Sequence, residues 1–153
     1  MATPEERLQE LGLELPEVVA PLASYQPTAR TGSLVYTAGQ LPIVKGELPV
    51  TGKVGAEVTA EQAFEQARIC ALNAIAALRA EVGDLTAVKR IVKVVGFVAS
   101  APDFHGQPQV VNGASDLLGE VFGDAGKHAR SAVGVSVLPR NAAVEVELIA
   151  EVG

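Results

Sequence analysis

The sequence has no tryptophan and only two tyrosines and four phenylalanines, so its core must be built from Val, Leu, Ile and Ala. Its one cysteine, Cys70, excludes an intrachain disulfide, and with His105 and His128 as the only imidazoles there is no Cys/His set of metal-ligand spacing. Neither a metal nor a cofactor is expected. No apolar run approaches the roughly 18 residues that would suggest a membrane span. The N-terminus also lacks the basic and apolar regions of a secretion signal. Together with the lone cysteine, this predicts a soluble cytoplasmic protein without a membrane partner. Twelve Lys and Arg stand against 18 Asp and Glu, a net charge of -6, with no basic run and no interleaved aromatics to stack bases. Nucleic acid is therefore not an expected partner. The glycines between residues 43 and 58 lack the Lys-Ser/Thr tail of a phosphate-cradling loop.

What is present is a chain of 153 residues, 48% hydrophobic, enough for one domain with a real core. Thr3, Pro4 and Glu6 place an N-cap, a first-turn proline and a capping-box acid in register, which predicts a short helix over about 4–11. Residues 1–20 read as this helix and an arm, and 21–153 as one domain. Tyr25 to Ala29 and Leu34 to Ala38 flank a short glycine-containing loop and predict a hairpin, with Pro27 holding the first strand to an edge. Thr59 and Gln62 form a second capping box before apolar residues at three- and four-residue steps, giving a long helix over about 60–81. Cys70 lies within it as a small buried thiol rather than a nucleophile. The run Val88 to Ala99 is β-rich and apolar on both faces, with Val92, Val94 and Val98 one way and Ile91, Val95 and Phe97 the other. A second amphipathic helix is predicted over about 108–122, ending at Gly123.

The stretch from His128 to Ile149 reads as two strands joined by a turn at Leu138 to Asn141. A period of two puts Val133, Val135 and Val137 of one arm with Val144, Val146 and Leu148 of the other, on a core face. His128, Arg130, Ala132, Gly134 and Ser136 then share the opposite face with Glu145 and Glu147. One guanidinium on a floor of small residues suits a carboxylate, which it can hold by two parallel hydrogen bonds. A plain cross-strand ion pair between Arg130 and a glutamate fits the residue types as well. Two helices can cover one face of such an α+β sheet. The other, bearing Val92, Val94, Val98 and the floor around Arg130, is expected to be covered by a second copy of the chain.

Ala129, Arg130 and Ser131, followed by Val133, Val135, Leu138 and Pro139 and then by Val144 to Glu147, resemble the C-terminal signature of the RidA/YjgF family of imine deaminases. Thr37 to Pro42, the long helix ending near Leu78, and Asp103 and Phe104 ahead of the second helix agree with it. The resemblance covers about residues 20–152. It implies a chorismate-mutase-like α+β fold, a mixed sheet with two main helices on one face, and a homotrimeric barrel with three clefts between neighbours. It also implies hydrolysis of reactive 2-imino or 2-enamino acids to 2-keto acids and ammonia.

Residue by residue, the resemblance places Arg130 on the substrate carboxylate and Glu145 beside the hydrolytic water. Tyr25 closes the cleft, Asn112 lines it, and Gly39 faces the ligand through its backbone. Ala132 stands where the best-known members carry Cys, and Ala38 where they carry Ser. His128 takes the place of a common Pro, two residues before Arg130, either as a proton donor to leaving ammonia or as an ordinary imidazole at a strand start. Imine hydrolysis needs a placed water and a proton relay rather than a covalent nucleophile, so a site without a thiol remains competent. Ser131 and Ser136 have no base at readable spacing. An alternative from another class is a non-catalytic protein whose clefts bind a keto acid or similar small carboxylate.

Overall fold

The computed structural model describes residues 2–19 and 23–153. The element order is α1 (Pro4–Glu10), β1 (Thr28–Thr31), β2 (Leu34–Thr37), α2 (Ala60–Val82), β3 (Val88–Ala99), α3 (Gln107–Phe122), β4 (Ala129–Val135) and β5 (Val144–Val152). Both expected capping boxes form: Thr3 accepts from the Glu6 amide, and Thr59 from the Gln62 amide at 3.1 Å, while Gln62 returns the bond at 2.9 Å. Gly83 and Gly123 end α2 and α3 at φ of 85° and 61°. Among the described residues, no helix is long and apolar enough to cross a membrane.

One five-stranded mixed sheet runs in the order β1-β2-β5-β3-β4. β3 pairs antiparallel with β5 and parallel with β4. This corrects the expected C-terminal hairpin: β4 and β5 are not partners, because β3 lies between them. A strand rich in apolar residues is stabilised inside a sheet, where it is paired on both edges and, here, covered by the helices on one face. The eight residues from 136 to 143 are long enough to step over its end, about 10 Å across two strand spacings. The expected turn is present, since the Ala142 amide donates to the Pro139 carbonyl and Arg140 and Asn141 both have positive φ. It simply joins strands that are not neighbours.

The predicted facing of β4 is also corrected. Arg130, Ala132 and Gly134 lie opposite Val94, Gly96 and Val98, which in turn oppose Leu148, Val146 and Val144. The small residues are therefore on the helix side of the sheet, Val133 is left 43% exposed on the other, and Val137, beyond the end of β4, is 69% exposed. Arg130 does not share a face with Glu145 and Glu147. The cause is the approach of α3, which comes so near that a Cβ on Gly96 would sit 2.5 Å from the Val111 side chain, and one on Gly134 would sit 2.8 Å from Gln107. Small residues here admit a helix; they do not floor an open face.

In the same way Val94 and Val98 are fully buried under the helices. A register shift between Ile91 and Lys93 turns Ile91 to the core as well, leaving Val95 and Phe97 on the uncovered side.

α2 and α3 pack on one another and on this single face. Their crossing is set by Gly113, where a Cβ would overlap the Phe64 carbonyl oxygen of α2. Alanine there gains about 1 kcal/mol in helix propensity, but overpacking against backbone costs up to about 3 kcal/mol. Gly113→Ala is therefore expected to lose about 1–2 kcal/mol net, read as a lower urea midpoint at unchanged slope. Cys70 is buried between α2 and β5, and its thiol donates to the Val144 carbonyl at 3.6 Å. Leu13 and Leu15 of the N-terminal arm join the main core, and Val19 joins a second cluster with Leu41, Ile43 and Ala142.

Candidate functional site

The site residues fall into two groups on opposite sides of the sheet. The first lines a cleft of about 480 Å³ beside the end of β2, walled by Tyr25, Ala38, Gly39, Leu41, Pro139 and Glu145. Its shape follows from a break in the β2–β5 ladder. The Leu148 amide donates to the Thr37 hydroxyl at 3.1 Å instead of to a backbone carbonyl, and the two chains rejoin where Gln40 and Val146 exchange bonds of 2.7 and 3.0 Å. Ala38 and Gly39 lie between, off the ladder.

The Glu145 carboxylate rests against Gly39, so closely that a Cβ there would overlap its Oε2. Tyr25 is 43% exposed at the same cleft. Glu145 titrates above the usual carboxylate range, first because burial disfavours its charged form and second because Glu147, two residues along the same face, is also negative. Among the described residues neither glutamate is in an ion pair.

The second group surrounds Arg130 on the edge strand β4. Its Nη1 donates to Asn112 Oδ1 at 2.8 Å and to Ser115 Oγ at 3.2 Å, and its Nη2 donates to the Pro108 carbonyl at 3.3 Å. Residues 108, 112 and 115 are spaced by four and three, so they form one stripe of α3 along which the guanidinium lies. Of five N–H groups three are thus committed, which leaves Nε–H and one Nη2–H, the pair able to grip a carboxylate side-on. Among the described residues Arg130 has no acidic partner within ion-pair distance.

His128 turns both ring nitrogens inward, Nδ1 lying 2.6 Å from the Gly126 carbonyl and Nε2 2.8 Å from Ser115 Oγ. Ala132 packs against the main core beneath α3. The chain therefore brings Arg130 together with Asn112, and Tyr25 and Gly39 together with Glu145, but holds the two groups apart by β3 and the thickness of the sheet. Sequence reasoning missed Ser115 and Pro139. Ser115 was legible as the residue one helical turn beyond Asn112.

Residues 5–152 match the family model described as "YjgF/chorismate_mutase-like, putative endoribonuclease". The chain belongs to the YjgF/RidA family. The match includes α1 and the arm as well as the sheet and helices. Among YjgF/RidA relatives, protein TCP17 of Trypanosoma cruzi is 45% identical over 145 residues, covering 94% of this chain and 91% of that protein. The 2-iminobutanoate/2-iminopropanoate deaminase of Dermatophagoides farinae is 32% identical over 138 residues, covering 90% and 92%. The crystal structure of Atu1372 from Agrobacterium tumefaciens, a protein described as of unknown function, superposes with a TM-score of 0.91 at 44% identity, over 98% of this chain and 92% of that one. The mixed sheet backed by two helices is thus the YjgF/chorismate-mutase-like fold.

Proposed function

We propose that the protein hydrolyses 2-imino acids to 2-keto acids and ammonia, in clefts completed by two copies of the chain within a homotrimer. The observation that carries this is the division of the site. A guanidinium with a free two-donor edge lies at the sheet's outer strand, and a carboxylate without a cation lies over Gly39 on the opposite side. Each half lacks what the other supplies. The uncovered face, with exposed Val133 opposite Phe97 and Val95 two residues before it on the same strand, is the surface on which copies associate. A YjgF/RidA relative that is a 2-iminobutanoate/2-iminopropanoate deaminase supports the substrate class.

In this reading Arg130 clamps the substrate carboxylate by its Nε–Nη2 edge, and Asn112 holds the guanidinium. The neighbour's Glu145 takes a proton from water as it attacks the electrophilic imine carbon. Glu145 returns that proton to the nitrogen to give the neutral carbinolamine, then takes the proton of its hydroxyl as the C=O bond forms and the C–N bond breaks, and passes it to the leaving nitrogen, which departs as ammonia. Imine and water are consumed; keto acid and ammonia are the products. Proximity and charge placement carry the rate, with no covalent intermediate.

The test is keto acid release from a 2-imino acid freshly generated by a dehydratase or an amino acid oxidase, followed with and without the protein. A rate no greater than in buffer, with keto acid binding retained, would favour the carboxylate-binding alternative.

The pH dependence has a defined sign. Glu145 works ionised and its pKa is raised, so kcat/KM falls as pH drops through that raised value. Glu147→Gln removes a neighbouring negative charge, eases ionisation of Glu145, and is expected to move this acid limb to lower pH. Burial, the larger cause, remains, so the limb should stay above the ordinary carboxylate range. A limb that does not move on removing Glu147 assigns it to another group.

A further inference from the structure

Resting on the deaminase reading, we propose that Ser115 and His128 are positioning residues for Arg130: a hydroxyl–imidazole relay that fixes which edge of the guanidinium faces the substrate. With the imidazole neutral, each hydrogen bond has one possible direction. The Gly126 carbonyl can only accept, so the His128 nitrogen 2.6 Å from it, Nδ1, carries the proton. In the neutral ring Nε2 is then an acceptor, so the Ser115 hydroxyl donates to it at 2.8 Å. Its hydrogen spent there, Ser115 Oγ offers lone pairs to Arg130 Nη1, which can only donate. The chain runs Arg130 to Ser115 to His128 to Gly126.

The base of the relay is rigid. Gly126 is buried in the short 3-10 turn Gly123–Gly126, and a Cβ on it would overlap the Leu118 carbonyl oxygen of α3. The turn, α3 and β4 are thereby tied together at one point. With both Nη1 protons held by Asn112 and Ser115, the guanidinium cannot rotate its Nη1 toward the ligand, and the Nε–Nη2 edge is the one presented. His128 reaches this position because it lies two residues before Arg130, on the same side of the sheet. Its role is to set the Ser115 hydroxyl, with no contact to the substrate.

Two measurements test this. Side-chain ¹⁵N spectra of the full-length protein are expected to show neutral His128 protonated at Nδ1, the minor form of a free imidazole, and exposed His105 as the ordinary mixture. Ser115→Ala should leave His128 protonated at Nδ1, because the Gly126 carbonyl still accepts from it. In steady-state kinetics with a 2-imino acid, Ser115→Ala and His128→Ala are each expected to raise KM by about tenfold, the loss of one hydrogen bond to a charged group. Their kcat should stay within about twofold of wild type. Ser115→Thr, which keeps the hydroxyl, should restore KM. The double variant should be no worse than Ser115→Ala alone, because His128 acts only through Ser115.

His128 protonated at Nε2 in the wild type would overturn the relay. So would variants with unchanged KM on an active protein, or additive effects in the double variant; the deaminase reading survives these outcomes. A wild type that neither turns over imino acid nor binds pyruvate removes the deaminase reading, and with it the relay as a positioning device, even where the His128 tautomer is as drawn.

Discussion

Arg130→Ala is expected to lower kcat/KM for 2-imino acid hydrolysis by about 10²–10³-fold. Truncating one partner of a buried, hydrogen-bonded charge pair costs 2–5 kcal/mol or more, and each 1.4 kcal/mol is about a factor of ten. The guanidinium already makes three bonds within its own chain, to Asn112, Ser115 and Pro108, so little ordering remains for the substrate to impose. Arg130→Lys should recover only part of the loss, because an ammonium is a point donor and cannot grip two carboxylate oxygens in parallel. Folding is expected to survive, since Arg130 is only half-buried and is in no ion pair among the described residues. Equal keto acid release by wild type and Arg130→Ala at matched thermal stability would remove Arg130 from the site.

The second large effect is a gain. On the proposed function, Arg130→Ala and Glu145→Gln, each nearly inactive alone, are expected to recover activity when unfolded together and refolded as mixed assemblies. A cleft works if its arginine comes from a Glu145→Gln chain and its glutamate from an Arg130→Ala chain. Random mixing at equal amounts gives that combination in about one cleft in four, so about a quarter of wild-type activity should return. A site contained in one chain would give no recovery, because every chain in the mixture carries a defect. Keto acid release before and after co-refolding, with size measurement of the mixed particles, checks this.

Much of the fold was legible in the sequence because local chemistry and global structure agree. The capping boxes at Thr3 and Thr59 set the starts of α1 and α2, and Gly83 and Gly123 the stops of α2 and α3. The bounds of β3 follow from a run from Val88 to Ala99 in which Val and Ile predominate. Pairing was less legible. A turn at Leu138 to Asn141 fixes a reversal of direction but not the neighbour of each strand, and Val88 to Ala99 took the middle place by being apolar on both sides. Facing was misjudged for the same reason at two places. A period of two separates residues into two sets without saying which set meets the helices, and the alanines and glycines of β4 answered to the nearness of α3. For the site, the individual residues were identifiable while their grouping was not. Arg130 and Glu145 belong to opposite sides of the sheet, which only the true strand order reveals.

The bare backbone at Gly39 has a genetic consequence. Since the Glu145 side chain occupies the space where any other residue at position 39 would place its first carbon, Gly39→Ala should behave as a phenocopy of Glu145→Gln while leaving the glutamate codon intact. In a saturation library scored for imino acid hydrolysis, substitutions at position 39 should fold, since only the flexible end of Glu145 has to move, and their loss of activity should track that of position 145 rather than that of the adjoining Ala38.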